Sequence, residues 1–342
     1  MELQVVWFVL WAVLWAVYFM LDGFVLGTGM LLGVLGRSDL DRRVLLRTFG
    51  PVWNGNEVWL LTAGGATFAA FPATYALMFS YLYTALLLLL FALIIRGVSI
   101  EFRGRVDAPV WCSSCDRAVI GASFLPALLF GVAFGNIFQG LPMDRAGYHG
   151  SFLSLLNPYG LLTGVLFVLL FAVHGALYAA VKTGGALSER AGRAARRLWP
   201  PLLGVAVLFL GYSRFATRLW DNYLQQPVFA AIPLVAVAAL LAVGWFGARG
   251  EMLKAFAASC ATVLMVTFTG VAGLYPNLIP STLDPAYSLT IFNSSSSPYT
   301  LGIMTIVAAI LVPTVIAYKI WVYRVFRARV EEKDVLINAE SY

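Results

Sequence analysis

The sequence predicts an all-α, polytopic membrane protein with about nine transmembrane helices. Three observations carry this. Hydrophobic residues fill 61% of the 342 positions and charged residues only 12%, with a mean hydropathy of +0.83. A soluble domain carries roughly 25% charged residues, and only lipid can act as solvent for this much apolar surface. Apolar runs of spanning length recur along the chain between short polar gaps. The basic residues concentrate in alternate gaps.

The runs lie at 5–35, 51–73, 76–97, 118–138, 159–181, 198–213, 227–247, 255–275 and 301–323, the sixth being short. The opening Met1-Glu2-Leu3-Gln4 places no basic residue before the first run, which predicts a retained helix and not a cleaved signal. With the N-terminus outside, only Arg145, Arg214 and Arg218 fall in outer gaps, which leaves 20 of the 23 Lys and Arg inside. That asymmetry predicts an odd number of spans and a cytoplasmic C-terminus. It also accounts for the net charge of +6 without nucleic acid. Three cysteines, Cys112, Cys115 and Cys260, set no disulfide framework.

A weak repeat divides this single membrane domain. Gly131-Val132-Ala133 returns as Gly270-Val271-Ala272 after 139 residues, and Pro158-Tyr159 returns as Pro298-Tyr299 after 140. Asn136 and Pro142 follow the first motif as Asn277 and Pro280 follow the second. The spacing predicts two parallel four-helix bundles, 1–138 and 158–275, plus a peripheral ninth helix at 300–326, with chance matching of short motifs as the alternative.

Ionisable groups within the bilayer are costly and mark candidate sites. Asp22 lies deep in the first run, where it could carry protons, pair with a cation or hydrogen-bond a helix break, against the plainer reading of a satisfied polar contact beside a glycine kink. Gly23, Gly27, Gly29 and Gly33 form two overlapping pairs at four-residue steps, a spacing for close helix packing. The second run opens Trp53-Asn54-Gly55-Asn56-Glu57-Val58-Trp59 after Pro51, an unusually polar start for a lipid-facing helix. Arg96, Glu101 and Arg103 cluster where the third run reaches the inner face; they could pair or contact anionic lipid, with a solvated charged rim as the default reading. His174 is the only histidine within a run, a poor cofactor box. Cys112 and Cys115 have CxxC spacing in an inner loop with no second pair, so reduced thiols are expected and no metal site. The chain holds no GxxxxGK[ST], GxGxxG or HExxH motif for nucleotide or zinc chemistry.

The segments Asp22-Gly23-Phe24 with Gly27, Gly50-Pro51-Val52-Trp53 through Gly55-Asn56-Glu57-Val58-Trp59 to Phe68, Arg96-Gly97-Val98 with Glu101-Phe102-Arg103, Gly131 to Asn136, Asn157-Pro158-Tyr159 and Tyr275-Pro276-Asn277 together resemble subunit II of the cytochrome bd-type quinol oxidases, in family order over nearly the whole chain. The resemblance implies a haem-free, nine-span subunit of the bacterial inner membrane. It implies a partner, subunit I, that carries two b-type haems, one haem d and the quinol site, in a complex that oxidises quinol and reduces oxygen to water. A structural quinone in some members, and room for a small accessory subunit, come with it. It also implies a proton path, with Asp22, Trp53, Asn54, Asn56 and Glu57 as candidates, and interface or structural roles for Gly23, Gly27, Trp59, Arg96, Glu101 and Arg103. Two positions depart from the family pattern: Val25 and Asn54 stand where acids are common. The alternative from another class is a secondary transporter built on the parallel repeat.

Overall fold

The computed structural model describes residues 2–337. Its helices are α1 (Leu3–Met30), α2 (Leu32–Leu35), α3 (Asp39–Phe49), α4 (Trp53–Ala70), α5 (Pro72–Tyr81), α6 (Tyr83–Phe102), α7 (Pro109–Gln139), α8 (Pro158–Lys182), α9 (Gly185–Ala216), α10 (Leu219–Gln225), α11 (Ala231–Ala248), α12 (Met252–Leu274), α13 (Pro298–Val325) and α14 (Glu332–Ile337). Eight of these, all but α2, α3, α4, α5, α10 and α14, are long and apolar enough to cross a membrane among the described residues. At 18 residues, α4 measures about 27 Å, but Asn54, Asn56 and Glu57 lower its apolarity.

The runs moved at three places. The run expected at 76–97 is divided: Pro72, which has no N–H to continue α4, starts α5, and a second break at Leu82 starts α6. Nothing in the local sequence explains the break at Leu82. The fourth run begins nine residues early, because Pro109 at the first helical position opens α7. Cys112 and Cys115 therefore lie on the first two turns of a helix, not in a loop, with Cys115 buried. The short sixth run is the apolar half of α9, whose basic first half, 185–197, continues the same helix beyond the apolar stretch.

Helix α1 is central and packs against α4, α7, α8 and α12. Its core seam is aromatic. Phe19 meets Phe134 and Phe167 edge-on at ring-centroid distances of 5.2 Å, and Trp15 meets Phe134 at the same distance, the arrangement that ring quadrupoles favour. The two pairs in the glycine stripe face different helices: a Cβ on Gly23 or Gly27 would strike Phe171 of α8, and one on Gly29 or Gly33 would meet Ser123 or Ile120 of α7. Such contact lets backbones approach where no hydrophobic effect drives helices together.

Polar contacts gather the connections at two ends. At one end Trp7 Nε1 donates to Leu301 O at 3.2 Å, Ser296 Oγ to Ala69 O at 2.6 Å and Leu141 N to Pro280 O at 2.9 Å. At the other, the basic gaps interlock. Arg103 bridges Asp116 at 2.5 Å and Asp39 at 2.6 Å, Arg42 reaches Asp116 at 3.1 Å, Arg190 reaches Asp41 at 2.7 Å, and Lys182 Nζ donates to Ala328 O at 2.6 Å.

Asp41 belongs to this lock twice. It completes a capping box with Ser38 at the start of α3 and pairs with Arg190. Burial pushes its carboxyl up, but the Ser38 N–H and the Arg190 guanidinium outweigh that and hold it below the usual aspartate range. A carboxylate with a depressed folded pKa adds stability above its unfolded pKa and loses it as pH falls through the folded value. The Asp41 contribution is thus expected to be complete at neutral pH and to fade only below about pH 3.9. Melting of the solubilised protein against pH checks this: Asp41→Asn should lower the melting temperature at pH 7, with the gap closing in acid. A gap that stays constant down to acid would show that the Asp41 charge adds nothing.

Candidate functional site

Three ionisable side chains from three helices meet within the apolar interior. Asp22 comes from the last third of α1, Glu57 from the second turn of α4 and Arg96 from the last third of α6. One nitrogen joins them: Arg96 Nη2 lies 2.9 Å from Asp22 Oδ2 and 2.5 Å from Glu57 Oε1. The side chains of Arg96 and Asp22 are fully buried, while that of Glu57 is 23% exposed. Tyr18, one turn before Asp22 on α1, donates its hydroxyl to Asp22 Oδ2 at 3.2 Å. Asp22 Oδ1, Arg96 Nε and Arg96 Nη1 are buried and make no hydrogen bond among the described residues.

The neighbouring residues frame this triad. The Trp53 ring lies 3.1 Å from where a Cβ on Gly97 would stand, so glycine after Arg96 admits the indole. Asn56 is fully buried and ties three helices: its amide donates to Leu21 O at 2.8 Å, and its carbonyl accepts from the Tyr323 hydroxyl of α13 at 2.9 Å. Trp59 is buried one turn further along. Asn54, one turn before Glu57, is exposed and its side chain makes no hydrogen bond to the cluster among the described residues.

The inner-rim reading of Arg96 and Arg103 is overturned. Arg96 points back into the protein between two acids, and Arg103, 3% exposed, is locked by Asp116 and Asp39. Only Glu101 of the three stays exposed. Paired acids, which the third run alone does not reveal, draw both guanidinium groups inward. Tyr18 carried a usable signal, being a polar residue one helical turn from Asp22. Tyr323 and Asp116 carried none.

The histidine within the bundle is held as a structural pin. His174 is buried, with Nδ1 2.7 Å from Ser259 Oγ and Nε2 2.9 Å from Met20 O. Both ring nitrogens are engaged, so His174 does not fit a haem axial ligand. No group of three or more His, Cys, Asp or Glu could hold a metal ion among the described residues.

The triad can hold a proton. Arginine stays cationic in proteins, so two carboxylates against one guanidinium leave the set one charge short of neutral. In an apolar interior that imbalance is costly, and uptake of one proton removes it.

Comparison with known proteins bears on the family and the fold. The family profile described as cytochrome bd terminal oxidase subunit II matches residues 3–326. The cytochrome bd ubiquinol oxidase subunit 2 of Bacillus subtilis is 38% identical, covering 97% of this chain and 98% of that one. The cytochrome bd-I ubiquinol oxidase subunit 2 of Escherichia coli K12 is 34% identical over 99% of this chain and 98% of its own. The bd oxidase structure from Geobacillus thermodenitrificans superposes with a TM-score of 0.77 over 95% of this chain and 99% of the matched chain, at 19% identity, and so shares the fold. No transporter relation is favoured by these likenesses. This chain therefore belongs to the family of cytochrome bd terminal oxidase subunits II.

Proposed function

We propose that this chain is the haem-free partner in its oxidase and that the Asp22–Arg96–Glu57 triad passes protons toward the oxygen-reducing site. As a bd oxidase subunit II it is part of an oxidoreductase complex that contains haems, has a subunit I partner and lies in the bacterial inner membrane. The family would place two b-type haems, haem d and the quinol site on subunit I, with oxygen reduced there to water. Those groups supply the electron chemistry, and the residues of this chain bind, orient and move protons.

The carrying observation is the single Arg96 nitrogen shared by two carboxylates. Glu57 reaches the surface and Asp22 does not, which supports entry at Glu57 and storage at Asp22. Arg96 keeps the two acids within reach of one another. Its unbonded Nε and Nη1 and Asp22 Oδ1 are suited to hold ordered water, which buried polar atoms require. Tyr18 orients the Asp22 carboxyl. With Val25 and Asn54 at the two departing positions, Asp22 and Glu57 are the acids of these two segments that remain, unless this route is silent and another entry serves.

Topology supports the same reading. Counting α4 as a span gives nine crossings, and the basic gaps then all fall at the interlocked end. The ends of the two units meet, since Leu141 N donates to Pro280 O and the Phe138 ring stands where a Cβ on Gly270 would be. This supports two four-helix units followed by α13.

Glu57→Gln is expected to lower quinol oxidase turnover and coupled proton uptake at least ~10-fold, short of the largest contributions of a positioned proton donor, with haem content unchanged. Full turnover in Glu57→Gln would sink the proposal. Rescue of Glu57→Gln by Asn54→Asp would instead move proton entry to the exposed side of α4.

A further inference from the structure

Helix α13 is fastened to the rest of the protein at its ends and stands away in between. Near its start Trp7 Nε1 donates to Leu301 O and to Thr305 Oγ1 at 3.0 Å. Near its finish Tyr323 donates to Asn56. From 306 to 322, no α13 side chain makes a hydrogen bond to another element among the described residues, and Leu301 is the only buried residue of the helix. The space left between α13, α1 and α4 is an elongated apolar groove of about 1010 Å³. Its walls include Leu14, Met20, Trp59 and Ala308.

The groove is chemically lopsided. Its lining includes Lys319, Arg324 and Arg327, all at the cytoplasmic end, and no carboxylate. None of the three takes part in an ion pair among the described residues, whereas Arg42, Arg103 and Arg190 on the inner face are each held by an aspartate. Lys319 is half-buried, and its Nζ lies 2.5 Å from where a Cβ on Gly55 would stand. Gly55 thus leaves the ammonium room to reach across the groove mouth from α13 to α4. Basic pockets between spanning helices on the cytoplasmic side suit anionic headgroups, and an apolar cleft of this size within a bilayer is filled by hydrocarbon.

We propose that an anionic glycerophospholipid of the cytoplasmic leaflet is bound in this groove as a structural component. Its phosphate lies against Lys319, Arg324 and Arg327, and its acyl chains run between α13 and the α1–α4 wall. The lipid supplies the packing that α13 lacks between its two fastenings. Phosphatidylglycerol and cardiolipin share the required chemistry, and a zwitterionic lipid does not. A quinone would fill the apolar part and leave the three cations unanswered.

The test uses the intact oxidase complex, purified with and without Lys319→Ala/Arg324→Ala/Arg327→Ala and delipidated by repeated detergent exchange. Phospholipid and quinone are extracted from each and quantified by mass spectrometry. The expected result is about one anionic phospholipid per complex in the parent, since a single groove has a single cationic mouth, and a several-fold loss in the triple variant with quinone content unchanged. Adding phosphatidylglycerol to the delipidated parent should raise its melting temperature, and phosphatidylcholine should not. That addition keeps the proposal testable should the triple variant fail to assemble. As a second variant, Ala308→Trp fills the groove and should displace the lipid with the cations in place. Retention of anionic lipid equal to the parent in both variants would overturn the proposal. So would quinone alone in the groove, or a parent complex that keeps no lipid because subunit I covers that face.

Discussion

Arg96→Leu is expected to abolish accumulation of the assembled oxidase. The guanidinium it removes is fully buried between two acids, and no other cation pairs with either acid among the described residues. Breaking a buried ion pair by deleting one partner costs about 3–5 kcal/mol, because the remaining charge is left uncompensated. Here two carboxylates would face each other at a site that Arg96 holds together. Against a total stability of roughly 5–15 kcal/mol, that loss decides whether the chain folds. The mechanism makes a second prediction that separates charge from packing. Removing all three charges, as Asp22→Asn/Glu57→Gln/Arg96→Leu, should recover much of the complex, since neutral replacement of a buried ion cluster is often tolerated. The b- and d-haem absorbance of membranes, with an immunoblot for this chain, reads both outcomes. Arg96→Leu at parental levels would show that the triad adds no structural cohesion, and failure of the charge-free triple variant would assign the loss to packing.

The triad also shows how far the sequence could be read. Asp22 and Glu57 were legible because an acid within an apolar run has to be explained by a partner. Arg96 was legible as a residue but was placed on the rim with Glu101 and Arg103. Helix geometry could have moved it: seven residues separate Arg96 from Arg103, which is about 10 Å of rise, enough to carry it into the apolar layer. Asn54 and Asn56 could not be sorted from sequence. Two positions apart on a helix, they face different sides, and which side is inward depends on α1 and α13. The contacts that decide it, Asn56 to Leu21 and to Tyr323, span 35 and 267 residues. The fold was more legible, since run length and charge asymmetry need no long-range information. What escaped was where helices stop. Pro72 and Pro109 moved two boundaries by a local rule, whereas the break at Leu82 has no local signature.

Gly27→Ala is expected to separate α1 from α8 and to destabilise the protein by ~3 kcal/mol, the upper end of ordinary overpacking. The new Cβ would stand 1.8 Å from Phe171 O, and a Cβ on Gly175, across the same contact, would stand 2.2 Å from Thr28 N. Both obstacles are backbone, so no side chain can rotate away, and the helices themselves must part. Three further contacts depend on that approach. Thr28 Oγ1 donates to Gly175 O at 3.1 Å, His174 Nε2 meets Met20 O at 2.9 Å, and the Phe24 and Tyr178 rings stack at 4.0 Å. Asp22 sits five residues before Gly27 on the same helix, so a displaced α1 also carries its carboxyl away from Arg96. Gly27→Ala should therefore lower both the melting temperature of the solubilised complex and its turnover. Gly204→Ala on α9, where a Cβ meets nothing within 4 Å, should change neither, because the added methyl is accommodated and alanine suits a helix better than glycine. Gly27→Ala melting with the parent would mean that α1 and α8 tolerate a wider spacing than the glycine contact implies. A fall in turnover without a fall in melting temperature would instead trace the effect to the position of Asp22, and would tie the packing seam directly to the proton-holding triad.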